Sequence, residues 1–205
     1  MMIEKLEKER RLLLINAALE EFSIKGYDKA STNSIAKAAG LSKALMFHYV
    51  KNKEALFLYL VDYCTERINK DYTQKMNNNQ RDIFERLKQS YLLQIELRRT
   101  YPWIFEFDEL VAVTKSEPIN ERLREKMAQR NGCFEELFES IDETKFCQKL
   151  SVERCKELIF WSNIGFTEQQ LLKIKGTERG TIDYDEIIQE IDQYFTDLKT
   201  IFYKA

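Results

Sequence analysis

Four residues, Ala39-Gly40-Leu41-Ser42, do more than any others to limit how this chain can fold. They separate two short helical patterns. Before them, Ser31-Thr32-Asn33-Ser34 is a run of cap-type residues leading into Ile35-Ala36-Lys37-Ala38-Ala39. After them, Ser42 can cap a second short helix from Lys43 to about Tyr49. Gly40 supplies the positive φ that a sharp helix-helix turn requires. This is helix-turn-helix spacing, in which the second helix enters the major groove of DNA by its N-terminal end.

The flanking sequence is helical too. Ile15, Ala18, Leu19 and Phe22 recur at i, i+3, i+4 and i+7, one stripe of a helix that Gly26 can stop. Asn52 can cap a helix through Leu56, Leu60 and Tyr63 that runs past Arg67, with Glu54 near its positive end. Further helices are predicted from about Ile83 to Ile95, from Pro102 to about Val113, and from Pro118 through Ile119, Leu123, Met127, Phe134 and Phe138. Two more are predicted from Ser151 to about Ile174 and from Asp183 through Ile187, Ile191, Tyr194, Leu198, Ile201 and Phe202. Six Gly and two Pro in 205 residues are far below the usual share of roughly 12%. An all-β fold needs many tight turns, so the expectation is an all-α chain of nine helices.

Charge divides unevenly along it. Residues 1–53 carry ten Lys/Arg against six Asp/Glu, a net of +4; the remainder carries 22 against 28, a net of −6. A basic front on an acidic body points to an anionic partner for the front alone. Lys43 stands in the first turn of the second short helix. Lys51 and Lys53 flank its far end, where phosphates would lie, and Asn52 and Lys53 begin a helix whose free N–H groups attract phosphate oxygens. The expected domains are 1–53, a DNA-binding helix-turn-helix, and 54–205, a ligand-binding and dimerisation body.

The segment resembles the TetR family of bacterial transcriptional regulators. The matching residues are Ala17-Ala18-Leu19-Glu20-Glu21-Phe22, Gly26-Tyr27, Thr32 to Lys43, and Phe47-His48-Tyr49-Val50-Lys51-Asn52-Lys53-Glu54-Ala55-Leu56. The resemblance covers residues 10–60, about a quarter of the chain. It implies a three-helix reader on a six-helix body that dimerises. By position it also implies that Thr32 and Asn33 touch phosphate and base edges and that Ser42 opens the recognition helix. Lys43, Ala44 and Leu45 would then face the bases. Phe47, His48 and Tyr49 would lie against phosphates and neighbouring bases, and Lys53 would hold a phosphate. Three departures concern which sequence is read. Phe47 lacks the hydroxyl of the usual tyrosine, Leu45 replaces a small residue and favours apolar contact such as a thymine methyl, and Ala44 replaces a frequent glycine. Ala36, Ala39, Leu41, Met46 and Val50 read as core, and Tyr49 as half core. A single histidine such as His48 is structural or merely exposed in many proteins, and that alternative stands.

In the body, apolar faces at residues 158–166 and 187–202 suggest a four-helix bundle between two copies, with Leu158, Trp161, Ile187, Ile191, Tyr194 and Leu198 at the interface. Two copies would set their recognition helices about 34 Å apart on a near-palindromic operator. The middle of the chain is rich in aromatics. These pack a core, or, as the resemblance implies, line an inducer pocket, with Tyr59, Tyr63, Tyr91, Trp103, Phe107 and Phe134 as candidates. Interleaved Glu96, Glu106, Asp108 and Glu109 would suit a hydrophobic or cationic ligand.

The functional expectation is a ligand-responsive repressor of double-stranded DNA sites, in the cytoplasm, with no cofactor and no metal. The start lacks a signal-peptide shape, and the longest apolar run, Ala55–Val61, is too short for a membrane. Four scattered cysteines and one histidine suggest neither disulfides nor zinc. An enzyme is disfavoured, since no nucleophile-base pair, carboxylate pair or phosphate loop stands out. A helical interaction module, an activator without an inducer, and a nucleoid-type binder remain the alternatives.

Overall fold

The computed structural model describes residues 2–116, 119, 121, 123, 137–175 and 181–204. Among them the chain is all-helical. A 3-10 turn, Met2–Lys5, precedes α1 (Lys8–Lys29), α2 (Thr32–Ala38), α3 (Lys43–Tyr49), α4 (Lys53–Asp71), α5 (Ile83–Thr100), α6 (Ile104–Val113), α7 (Val152–Lys175) and α8 (Tyr184–Phe202). The helix expected from Pro118 falls largely outside the described residues, although positions 119, 121 and 123 are helical and Ile119 and Leu123 are buried. The caps expected at Ser31, Ser42, Asn52 and Ser151 each accept a hydrogen bond from the backbone of the helix they open, and Asp183 does the same for α8.

Two compact units are present. The first comprises residues 1–74 and 96–131, the second 75–95 and 132–205. The boundary expected at 53/54 therefore falls inside the first unit, at the Asn52 cap of α4.

In the first unit, α1 packs on α2, α4 and α6. Phe22, Phe57 and Phe107 join these helices through ring contacts 5.0–6.3 Å apart. Asn16 donates to the Thr100 carbonyl at 3.1 Å, and Ser116 to the Asp28 carboxylate at 3.2 Å. Arg98 meets both oxygens of Glu106 at 2.8 and 2.9 Å and lies over the Phe105 ring.

The second unit is built on α8. Its buried stripe is Ile187, Ile191, Phe195, Leu198 and Phe202. Phe195 joins the expected positions, and Ile201 turns out to solvent. The residues after α8 are clasped. Cys147 N–H donates to the Phe202 carbonyl at 2.8 Å and Lys204 N–H to the Lys145 carbonyl at 2.9 Å, around an antiparallel bridge of Phe146 and Tyr203.

Asp82 gathers the clasp. Its carboxylate caps α5 through the N–H groups of Phe84 and Glu85 and accepts from Lys145 at 2.9 Å and the Tyr203 hydroxyl at 3.1 Å. Burial pushes this carboxyl up, but these donors outweigh it and hold Asp82 below its ordinary range. Buried Arg86 turns its guanidinium to backbone carbonyls of Asn78, Gln80, Leu137 and Glu139, fastening two loop segments to α5.

Candidate nucleic-acid interface

The turn between α2 and α3 is held by the backbone itself. Leu41 N–H reaches the Ala36 carbonyl at 2.9 Å and Gly40 N–H the Lys37 carbonyl at 3.1 Å. This is the paired bond pattern of a Schellman ending, which needs a left-handed residue at Gly40. Gly40 has φ +66°. Leu41 then turns inward beside Ala36, Ala39, Met46 and Val50, and all five expected core residues are buried. Having spent its apolar side chains this way, the turn delivers Ser42, Lys43, Ala44 and Leu45 to the surface as four consecutive exposed residues. Ser42 Oγ accepts from Leu45 N–H at 3.1 Å and fixes the start of α3. Leu45 is 38% exposed, an apolar side chain presented to solvent beside a lysine. His48 is exposed on the same helix and edge-on to Tyr49, while Phe47 and Tyr49 are half-buried against the core.

The start of α2 is tied to α1. Ser31 Oγ accepts from Ser34 N–H, and Ser31 N–H donates to Glu21 Oε1 at 2.8 Å. Glu21 also receives Lys25 at 2.9 Å. Burial raises the Glu21 carboxyl, but Lys25, the Ser31 N–H and more distant Lys53 hold it below its usual range. Thr32 and Asn33 follow at the surface, Asn33 exposed and Thr32 half-buried. No sequence pattern marks Glu21 as a partner of this cap. A ten-residue separation hides the pairing, since neither helix periodicity nor a capping box links the two positions.

Lys53 has a specific environment. Its Nζ donates to the Asp28 carbonyl at 2.9 Å and lies 5.0 Å from the centroid of the Tyr27 ring. The cation is thus held at the end of α1, beside the Asn52 cap that opens α4 through the Ala55 N–H at 2.7 Å. A DNA phosphate meeting Lys53 would share it with these partners.

A family model described as "Bacterial regulatory proteins, tetR family" matches residues 14–60, the segment that contains this interface. Over this segment the chain is similar to the tetR family. An HTH-type transcriptional regulator of Bacillus subtilis, YuxN, is 41% identical over 56 residues, 27% of this chain and 19% of that protein. An HTH-type transcriptional repressor of Mycobacterium tuberculosis is 37% identical over 59 residues, 29% of this chain and 32% of that protein. The matched segment thus spans a third or less of these curated relatives. Both are named as HTH-type regulators of transcription. Two solved structures share the fold at 18% identity. One is a TetR family transcriptional regulator from Chloroflexus aurantiacus (TM-score 0.55, covering 99% of this chain and 97% of that one). The other is the ketosteroid transcriptional regulator KstR2 of Mycobacterium tuberculosis (TM-score 0.58, covering 98% and 97%).

The described pocket candidates are divided between the two units. Tyr59 and Tyr63 stack on α4 with centroids 5.8 Å apart, and the Tyr63 and Tyr101 hydroxyls meet at 2.7 Å. Burial and the Tyr101 hydroxyl hold the Tyr63 phenol well above its ordinary range. Trp103 is half-buried in the same unit, and Phe107 is sealed among the phenylalanines of its core. Tyr91 belongs to the second unit, where its hydroxyl meets Thr167 and Asn163 and burial pushes it up to about 12. Phe134 lies outside the described residues.

The expected interface residues divide as well. Ile187, Ile191 and Leu198 are buried in this chain's own core, because α8 must cover α5 and α7 residues such as Phe84 and Ile159. Tyr194 stacks on Phe166 at 4.1 Å and donates to Ser162, and Leu158 is half-buried. Trp161, 52% exposed under Arg154, is the one of the six facing mainly outward. Ile164 and Leu172 continue the exposed apolar row along α7. Among the described residues no helix is long and apolar enough to cross a membrane, and no cluster of ligands for a metal is present.

Proposed function

We propose that this chain is a tetR-family, sequence-specific DNA-binding transcriptional regulator that acts as a homodimeric repressor in the cytoplasm. One observation carries the reading: a backbone-locked turn presents Ser42, Lys43, Ala44 and Leu45 outward at the start of a short helix. Inserted in the major groove, these residues read base edges. Lys43 serves a guanine or a phosphate, and Leu45 packs on a thymine methyl. Thr32, Asn33, Phe47, His48, Tyr49 and Lys53 flank the groove. The repressor named among the relatives supports repression over activation.

Residues 1–53 do the reading; residues 54–205 bind inducer and pair two copies. In the dimer, the outward row Trp161, Ile164 and Leu172 supplies the contact, since Ile187, Ile191 and Leu198 are used internally. The stacked Tyr59 and Tyr63 suit a hydrophobic or cationic inducer. They share α4 with Lys53, so a ligand that shifts α4 would change the reader within one packed unit and weaken DNA binding by linkage.

Selection from random duplex DNA with purified protein tests the whole reading. The expected result is an enriched near-palindrome whose binding weakens with salt. Recovery of no duplex in dilute salt would overturn it.

A further inference from the structure

The 3-10 turn Met2–Lys5 lies before every helix that the DNA-reading function uses, yet its Ile3 is completely buried and Leu6 nearly so. Leu6 N–H closes the turn on the Ile3 carbonyl at 3.0 Å. Both side chains join the same apolar cluster as Ile35, Met46 and Leu56. Among the described residues, the elements packed most extensively on α3 are α2 and this turn.

That matters because α3 cannot hold itself. It has seven residues, well under the ~12–15 an isolated helix needs in water. Met46 is its one buried residue. On one side the Gly40 turn sets its direction. The second support is the N-terminal turn. Glu4 of the same turn stands close enough to α4 to act electrostatically on Tyr59. We infer that Ile3 is a positioning residue for the recognition helix: it wedges the N-terminal turn against α3 and sets the angle at which Lys43 and Leu45 are presented. The inference rests on the DNA-reading function for its consequence, but not for its geometry.

The experiment has two arms, using the full chain with Ile3→Ala and the conservative Ile3→Val. In the first, amide hydrogen exchange is followed without DNA. Ile3→Ala is expected to speed exchange across Met46–Val50 at least tenfold while α6 keeps its protection, and Ile3→Val is expected to restore most of the protection. Unchanged exchange in α3, or a uniform loss across the unit, would overturn the inference. In the second arm, affinity is measured for the selected duplex and for a scrambled one. Ile3→Ala is expected to lose tenfold or more on the selected duplex and less than threefold on the scrambled one. Equal losses on both would also overturn it. If the wild-type protein binds no duplex, the proposed function fails, and the exchange arm still decides the role of Ile3.

Discussion

Replacing Gly40 by alanine isolates the energy of the turn on which the proposed DNA reading depends. Gly40 sits at φ +66°, and a Cβ built there meets no heavy atom within 4 Å. Clash with the rest of the fold therefore contributes nothing, and the cost is the local one of an L-residue in the left-handed region, about 1–2 kcal/mol. Alanine also narrows the unfolded ensemble, which returns about 0.4–1 kcal/mol. The net loss expected for Gly40→Ala is about 1 kcal/mol, or roughly 2–4 °C in Tm for a chain of this size. Gly40→Asn should lose less, because asparagine tolerates this region. Gly26 provides the contrast. Its φ of 72° with ψ of 169° lies in a region essentially reserved for glycine, so Gly26→Ala should cost more, about 1–3 kcal/mol, with asparagine giving no comparable relief. Urea denaturation followed by far-ultraviolet circular dichroism measures all four variants. A neutral Gly40→Ala, or Gly26→Ala no worse than Gly40→Ala, would refute the argument.

Three further outcomes are expected. Lys43→Ala should lower the slope of log affinity against log salt by about one without affecting Tm, since Lys43 is exposed; Lys53→Ala should weaken DNA binding and also lower Tm slightly, because it loses the Asp28 and Tyr27 contacts. Fluorescence anisotropy titrations and melts separate the two. Asp82 has a depressed folded carboxyl, so its stabilising contribution is full above the unfolded value of about 3.9 and fades as pH falls below it; acid titration of stability should be shallower in Asp82→Asn, and an unchanged profile would count against the clasp. Trp161→Glu should shift the sedimenting species from dimer to monomer with helicity intact, and a persistent dimer would place the interface elsewhere.

The helix-turn-helix was legible because each of its determinants is local. Gly40, the Ser31, Ser42 and Asn52 caps, and the inward Met46 and Val50 act within a few residues of themselves. The fold class was legible for the same reason. The use of the α8 stripe was not. Periodicity shows that Ile187, Ile191 and Leu198 share a face, but not whether that face meets its own chain or another copy; the partners, Phe84 and Ile159 among others, lie 28 to 114 residues away along a path that periodicity does not encode. Composition likewise gathers Tyr91 with Tyr59 and Tyr63, whereas the fold assigns Tyr91 to the second unit and the other two to the first. The burial of Ile3 was not legible either, because a turn of four residues is too short for a repeating pattern.

The Lys53 ammonium, resting on the Asp28 carbonyl and the Tyr27 ring, carries a consequence for association. A free lysine surrenders up to about 2 kcal/mol of rotamer freedom when it is immobilised. Here much of that ordering is complete in the free chain, so under the proposed function a phosphate docking at the foot of α4 would meet a cation that has already surrendered much of this freedom, and the complex would keep the affinity that immobilising a wandering side chain would have cost.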